Sequence, residues 1–103
     1  MIVVQNHYFA SPGKRDAVIA TRRDASACRV RLGLPAGRIL VLARGSDAVP
    51  DTIWELELTD LATWDSDLAV LAASEEFTAI RKVQSSQLRH FERCAYEVDP
   101  SVP

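Results

Sequence analysis

The feature that most constrains the fold is a long helical segment in the second half of the chain, from Leu61 to Gln84. Apolar residues recur in its first half at steps of three and four, which places them on one stripe of a helix. The stripe consists of Leu61, Trp64, Leu68 and Leu71. Such a stripe needs an apolar surface to cover, and strand-like segments stand on either side of the helix at 53–58 and 88–98. The sequence therefore predicts a helix packed on a sheet that its own neighbours form.

The rest of the chain supplies the other strands and a first helix. Ser11 and Pro12 are typical of a helix start, as N-cap and first helical residue, and Gly33 is typical of a helix end. Ser74, followed by two glutamates, predicts a break and a new helix start inside the long helical segment. The predicted strands cover residues 2–9, 38–44, 52–58 and 88–98, and the predicted first helix covers residues 12–32.

The order strand, helix, strand, strand, helix, strand is that of an α+β, ferredoxin-like βαββαβ domain. We therefore predict a four-stranded antiparallel sheet with the helices on one face. At 103 residues, of which 48% are hydrophobic and 25% charged, the chain suits one domain over 1–98 with a short tail at 99–103. Three of the strands have apolar residues on both faces. The uncovered face is therefore expected to be apolar and to pair with a second copy of the chain, as a homodimer.

The first helix is expected to bury one face and to expose its arginines. Its buried stripe consists of Val18, Thr21, Ala25, Cys28 and Leu32. The arginines that fall largely on the remaining surface are Arg15, Arg22, Arg23 and Arg29. Cys28 and Cys94 are too few and too far apart in sequence to form a metal cluster or a redox pair. Both are therefore expected to be free thiols.

Charge and hydropathy limit the partners. The formal net charge of −2 disfavours nucleic acid. Residues 1–50 hold eight Lys or Arg and three Asp or Glu, a balance of +5, whereas residues 51–103 hold four and eleven, a balance of −7. The basic half is either a solvated helix face or a surface that attracts an anionic ligand, and the sequence leaves both open. Because no apolar run approaches the roughly 18 residues of a membrane span and no signal segment is evident, we expect a cytoplasmic protein without a membrane partner.

Four segments of the chain follow a known pattern: VVQNHYF running into SPGK, IWELEL running into TDLATW, the helix start ASEEFTAIR, and the closing FERCAYEV. In these segments the chain resembles the dimeric α+β barrel superfamily, and within it NIPSNAP-like and antibiotic-biosynthesis-monooxygenase-like small proteins. The resemblance implies that two subunits pair their sheets into a barrel, and that each holds a small organic ligand in a cleft between sheet and helices. It also implies cofactor-independent oxidation, isomerisation or cyclisation of an aromatic or polyketide-like compound. A non-catalytic dimer that serves binding or assembly is the alternative.

The same resemblance argues against haem binding. Haem-degrading relatives place a histidine four residues after a helical phenylalanine and a tryptophan six residues before it. Here Phe77 is followed at that spacing by Arg81 and preceded by Leu71. No cofactor and no metal are therefore expected, and the sequence has no phosphate-binding glycine loop and no nucleophile elbow. Arg81 is instead a candidate for binding a carboxylate or phosphate, with an exposed helix arginine as the alternative.

Six residues are the candidates for the site. Asn6 lies where some relatives hold a first-strand asparagine that hydrogen-bonds oxygen or substrate. The two histidines, His7 and His90, can each serve as an acid or base near neutral pH. His90 falls near Asn6 and Tyr8 or near His7, depending on a strand register that the sequence does not fix. We predict catalytic roles for Asn6, Tyr8 and His90, and substrate-binding roles for His7, Trp64 and Arg81. Interface and packing roles are the alternatives for the histidines and the aromatic residues.

Overall fold

A computed structural model describes residues 1–102 of the chain. Its elements are, in order, β1 (Ile2–Ala10), α1 (Arg15–Arg31), β2 (Arg38–Val41), β3 (Thr52–Leu58), α2 (Leu61–Ala72), α3 (Glu75–Ser86) and β4 (Leu88–Glu97). The strands form one antiparallel sheet in the order β2-β3-β1-β4, and the helices lie on one of its faces. The predicted α+β, ferredoxin-like architecture is confirmed. Among residues 1–102, no helix combines the length and the apolar character that crossing a membrane requires.

Strand β1, one of the two inner strands of the sheet, determines which side chains meet under the helices. Its even-numbered residues 2 to 8 are buried on the face that the helices cover, and residues 3, 5 and 7 are half-buried on the other face. We call these the covered face and the open face. The register places Asn6 between Trp54 of β3 and Arg93 of β4. It also places Tyr8 beside Phe91 of β4, so both residues lie on the covered face.

The first helix begins three residues later than predicted. Ser11 does not cap it, because the N-cap residue is Lys14 and no side chain accepts a capping hydrogen bond there. The Ser11 carbonyl instead accepts a hydrogen bond from the Lys14 N–H at 2.9 Å, in a turn where Gly13 has a φ of 77°. A residue with positive φ cannot belong to a right-handed helix, so α1 starts after it. At the other end, Gly33 has a φ of 79° and follows the last helical turn, as predicted.

The long helical segment is divided into two helices, as predicted. The Asp60 side chain accepts a hydrogen bond from the Thr63 N–H at 2.8 Å where α2 begins. The Ser74 hydroxyl accepts one from the Phe77 N–H at 3.1 Å where α3 begins. Each cap satisfies an N–H group that has no partner within its own helix, so each fixes a helix start.

The second strand is shorter than predicted, because the chain leaves the sheet after Val41. The Leu42 N–H donates to the Asp51 carbonyl at 2.9 Å, and the Asp51 carboxylate accepts from the Ala10 N–H at 2.7 Å. These contacts draw the loop at 45–51 towards the end of β1. The fourth strand ends one residue earlier than predicted, at position 97.

The prediction that Arg22 and Arg29 lie on the exposed surface of α1 is wrong. Their exposed fractions are 5% and 3%. The four residues Val18, Arg22, Ala25 and Arg29 follow one another at steps of four, three and four, so both arginines belong to the buried stripe. Their apolar stems pack in the core, and their guanidinium groups stack on aromatic rings of the sheet.

Two apolar clusters form the core. One lies between the sheet and the helices and includes Trp54, whose indole N–H donates to the Ala36 carbonyl at 2.9 Å. A Cβ atom at Gly37, where φ is 72°, would overlap this indole ring. The other cluster lies between the three helices and contains Cys28. Cys28 and Cys94 are both free thiols, as predicted.

The open face of the sheet is less apolar than predicted. The Glu55 carboxylate accepts hydrogen bonds from Gln5 at 2.7 Å and from Arg38 at 2.6 Å, and the His7 ring lies 2.9 Å from the Gln5 side-chain oxygen. The Gln5 hydrogen bond, together with that of Arg38, holds the pKa of Glu55 below its ordinary value. Apolar side chains flank this network: Val3, Leu40, Ile53 and Tyr96. The expectation of an apolar open face is therefore wrong for its centre, because odd positions of β1 and β3 carry polar residues there.

Candidate functional site

A cavity of about 180 Å³ lies between the covered face of the sheet and helices α2 and α3. It forms because α3 packs on α1 and α2, and because α1 packs on β1 while no helix packs closely on β4. We call this cavity the cleft. Its walls include the apolar residues Leu68, Leu71, Phe77, Leu88 and Phe91. Ser85 and Phe91 are exposed and mark its mouth.

A chain of hydrogen bonds crosses the floor of the cleft. The Nε–H group of Arg93 donates to Asn6 Oδ1 at 2.8 Å, and Asn6 Nδ2 donates to the Tyr8 hydroxyl oxygen at 3.1 Å. Asn6 and Tyr8 are buried, and all three residues line the cleft. Because the Tyr8 oxygen accepts from Asn6, its own O–H is available to donate to a ligand. The chain thus ends in a polarised O–H donor among the residues that line the cleft.

Arg22 is the deepest charged group of the cleft. Its Nε–H donates to Gln84 Oε1 at 2.7 Å, and its guanidinium carbon lies 4.5 Å from the centre of the Tyr8 ring. Burial lowers the pKa of Arg22, and the nearby charge of Arg93 acts in the same direction. An arginine still keeps its proton at neutral pH, so the cleft contains a buried positive charge.

No acidic residue lines the cleft, although three arginines do: Arg22, Arg81 and Arg93. None of the ion pairs among residues 1–102 includes any of the three. Partial burial lowers the pKa of Arg93, and the positive charge of Arg81 lowers it further. Arg81 and Arg93 are exposed, whereas Arg22 is buried, and buried charges in proteins are normally paired. The cleft therefore has an excess of positive charge that no residue in the described part of the chain neutralises.

Arg29 provides a contrast on the same helix. Its Nε–H donates to the Pro35 carbonyl at 2.7 Å, and its guanidinium lies 4.6 Å from the Trp54 ring centre. Unlike Arg22, it has an anionic partner, because the Asp67 carboxylate lies 3.2 Å away. The two arginines are equally buried and stack in the same way, but only Arg29 is neutralised.

The structure brings together half of the residues predicted for the site. Asn6, Tyr8 and Arg81 line the cleft. Trp64 lies behind it, with its ring centre 6.0 Å from that of Trp54 and 5.5 Å from the guanidinium carbon of Arg93. Trp64 therefore supports the floor of the cleft and is not among its lining residues.

Both histidines lie on the open face, away from the cleft. His90 Nε2 is 2.9 Å from the Glu92 carboxylate, and its ring packs 5.1 Å from that of Phe9. His7 contacts Gln5, and its Nε2 lies 3.9 Å from the thiol of Cys94. His90 thus does not meet Asn6 and Tyr8, because the register of β4 on β1 gives it the opposite face.

Three cleft residues were not singled out from the sequence: Arg22, Gln84 and Arg93. A signal for Arg22 exists, since its spacing from Val18 and Ala25 places it on the buried stripe. The sequence contains no such signal for Arg93, because its position opposite Asn6 depends on strand register. Within residues 1–102, no group of three His, Cys, Asp or Glu side chains could hold a metal ion.

Comparisons with known proteins identify structures with the same fold. No protein-family model matches the chain. No match was found among curated proteins. A solved NIPSNAP domain protein from Burkholderia xenovorans is similar at a TM-score of 0.78 and 16% identity, over 100% of this chain and 99% of that chain. A solved antibiotic biosynthesis monooxygenase is similar at 0.71 and 20% identity, over 97% of this chain and 100% of that chain.

A third solved structure is a dimeric protein of unknown function and ferredoxin-like fold from Bacteroides fragilis. It is similar at a TM-score of 0.65 and 11% identity, over 94% of this chain and 95% of that chain. At such low identities these similarities establish the fold alone. The chain has the ferredoxin-like fold found in NIPSNAP domain proteins and in antibiotic biosynthesis monooxygenases. The structural relationship predicted from the four sequence segments is thereby confirmed.

Proposed function

We propose that this protein is a homodimer that binds a small aromatic or polyketide-like compound in the cleft of each subunit and acts on it without a resident cofactor. The observation that supports this is the cleft itself, in which apolar walls surround the hydrogen-bond chain of Arg93, Asn6 and Tyr8. An apolar cavity with a few convergent polar groups is the usual form of a small-molecule site.

The chemistry that the cleft suits is stabilisation of negative charge on a substrate oxygen. Oxidation, isomerisation and cyclisation of hydroxylated aromatic or enolisable compounds can all pass through a phenolate or enolate. The Tyr8 O–H is available to donate to that oxygen, and Asn6 and Arg93 strengthen this donor from behind. No histidine or carboxylate lines the cleft, so the groups in its walls hold an anion better than they create one. Substrates that ionise readily are therefore favoured.

The dimer is proposed from the open face. Half-buried and exposed apolar residues remain on it around the polar network, and helices cover only the other face. The dimeric ferredoxin-like protein from Bacteroides fragilis supports the proposal by its fold. Light scattering is expected to give twice the chain mass at micromolar concentration, and a monomer mass would contradict the dimer.

A second function, a non-catalytic binding protein, is favoured by the positions of His7 and His90. Both histidines lie outside the cleft, so its lining contains no acid or base that titrates near neutral pH. Such a protein would hold the same ligands without converting them. The two functions share the cleft and differ only in turnover.

One experiment tests both functions. Calorimetric titration with a panel of hydroxylated aromatic compounds is expected to detect binding to the wild-type protein. Ser85→Trp should abolish this binding because Ser85 is exposed at the mouth of the cleft, whereas Ser86→Trp, one position along α3 and outside the lining, should not. Catalysis is supported if the wild-type protein takes up oxygen or consumes the substrate and Tyr8→Phe does not. Binding without turnover supports the second function, and no binding at all contradicts both.

A further inference from the structure

We infer that the cleft selects an organic anion with a single aromatic ring, and that Arg22 is the residue that anchors its negative charge. This inference rests on the proposed function, because it names the class of ligand for the same cleft.

The first argument is the charge that the fold leaves unneutralised. Arg22 is 5% exposed and has no carboxylate partner among residues 1–102, whereas the equally buried Arg29 has Asp67 at 3.2 Å. Burying a cation without an anion is costly. Since α2 supplies a carboxylate, Asp67, for one of the two buried arginines of α1 and no element supplies one for the other, the missing anion of Arg22 is expected from outside the chain.

The second argument is that Arg22 is oriented by its neighbours. Gln84 accepts from its Nε–H at 2.7 Å, and the Tyr8 ring supports the face of the guanidinium at 4.5 Å. The hydrogen bond to Gln84 uses one of five N–H donors. A guanidinium fixed in this way has its remaining donors preorganised for a carboxylate or phenolate.

The third argument is that no other charge in the cleft opposes an anion. Arg93 and Arg81 also line it and have the same sign as Arg22. Their mutual repulsion contributes to the lowered pKa of Arg93, after burial as the main cause. A bound anion would be attracted by all three arginines, whereas a neutral ligand would not be and a cation would be repelled.

The volume of the cleft and the residues of its walls limit the size of the ligand and favour an aromatic ring. A cavity of about 150 Å³ holds one benzene ring, and drug-sized ligands occupy roughly 300–1,000 Å³. At about 180 Å³ the cleft takes a single ring with one or two small substituents. Phe77 and Phe91 lie on its walls and Tyr8 on its floor, so aromatic surface is available to pack against that ring. Larger polyketide-like compounds would have to extend through the mouth.

The test compares benzoate with benzamide, which has nearly the same shape and no charge, by calorimetric titration of the full chain at neutral pH. Wild-type protein is expected to bind benzoate about 10- to 100-fold more tightly than benzamide, which corresponds to hydrogen bonds with a charged group. Equal affinity for the two would overturn the inference and leave the proposed small-molecule function intact. Failure to bind either compound, together with every other aromatic of the panel, would instead contradict the proposed function.

Three variants assign the anchor. Arg22→Met should reduce the preference for benzoate to less than about threefold while benzamide affinity changes little, because an apolar stem still fills the site. Arg22→Lys should keep part of the preference, since the charge remains. Arg31→Gln is the matched control, because Arg31 lies on the same helix but is exposed and pairs with Glu76. A preference that survives in Arg22→Met, or that Arg31→Gln removes equally, would overturn the assignment.

Discussion

Replacing Arg22 by methionine is expected to leave the protein about as stable as before, although it removes a buried, hydrogen-bonded side chain. The matched change is Arg29→Met. Both arginines lie on α1, are buried, donate an Nε–H hydrogen bond and stack on an aromatic ring. They differ in that Arg29 has the Asp67 carboxylate at 3.2 Å. Methionine keeps most of the apolar contact of either stem, so the pair isolates the effect of the anionic partner.

The magnitudes follow from these contacts. Arg29→Met leaves Asp67 buried without a partner, which costs about 3–5 kcal/mol of unfolding free energy. Arg22→Met loses a charged hydrogen bond of about 1.5–3 kcal/mol and a cation–π contact of about 1–2 kcal/mol. It also removes the desolvation cost of an unpaired cation, which amounts to several kcal/mol. Because these terms oppose each other, the net change for Arg22→Met should be within about 1 kcal/mol.

The assay is urea unfolding followed by circular dichroism, with all proteins at one concentration so that assembly does not alter the comparison. Asp67→Leu added to Arg29→Met should restore most of the loss, since it removes the stranded carboxylate. Equal losses of stability in Arg22→Met and Arg29→Met would refute the reasoning. Arg22 would then stabilise the fold as much as the ion-paired Arg29 does, and its charge would need no partner from outside the chain.

Three further predictions concern the scaffold. Gly37→Ala should lower the free energy of unfolding by about 1–3 kcal/mol or more, because alanine is strained at a φ of 72° and its Cβ would overlap Trp54; an unchanged melting temperature would contradict this. The pKa of Glu55 is lowered, mainly by the hydrogen bond from Gln5, so the ionised carboxylate stabilises the fold above pH 4.5, which is the ordinary pKa of a glutamate. This contribution is lost as the pH falls through the folded-state pKa. The stability difference between wild type and Glu55→Gln should therefore be constant above about pH 5 and shrink below it, and a difference that grows on acidification would show the sign to be wrong. Ile53→Lys, on the open face, should halve the mass found by light scattering without loss of helical signal, and an unchanged mass would place the dimer contact elsewhere.

The order of elements and the positions of the helix breaks could be predicted because they depend on local signals. Ser74 followed by two glutamates is a cap that acts within one turn, and Gly33 ends α1 through its own backbone freedom. The start of α1 was predicted wrongly for a reason of the same kind. Gly13 takes a positive φ, and a proline just before it was read as the first helical residue.

The composition of the site could be predicted only in part, because it depends on register and on where long side chains end. Asn6 and Tyr8 were found through a resemblance and through alternation along one strand. The position of His90 was left open between Asn6 and Tyr8 on one side and His7 on the other, because it depends on the register of β4 on β1. That register, which has an irregularity after Phe9, puts His90 on the open face. Arg22 was assigned to solvent by residue type, although its spacing on α1 matched the buried stripe. A charged residue at a core spacing thus indicates a buried charge, which is either paired within the chain, as at Arg29, or lines a cavity, as at Arg22.

The most direct test of the proposed ligand class is an NMR titration of the labelled protein with benzoate, followed through the arginine Nε–H, tryptophan indole and histidine ring signals. We predict saturable shifts of the Arg22 and Arg93 Nε–H signals and of the Trp54 indole, with the Arg29 Nε–H little changed. Benzamide should move the indole signal and leave the arginine signals nearly in place. Shifts confined to His7 and His90 on the open face, or no saturable shift with any aromatic anion, would contradict the assignment of the cleft as the ligand site.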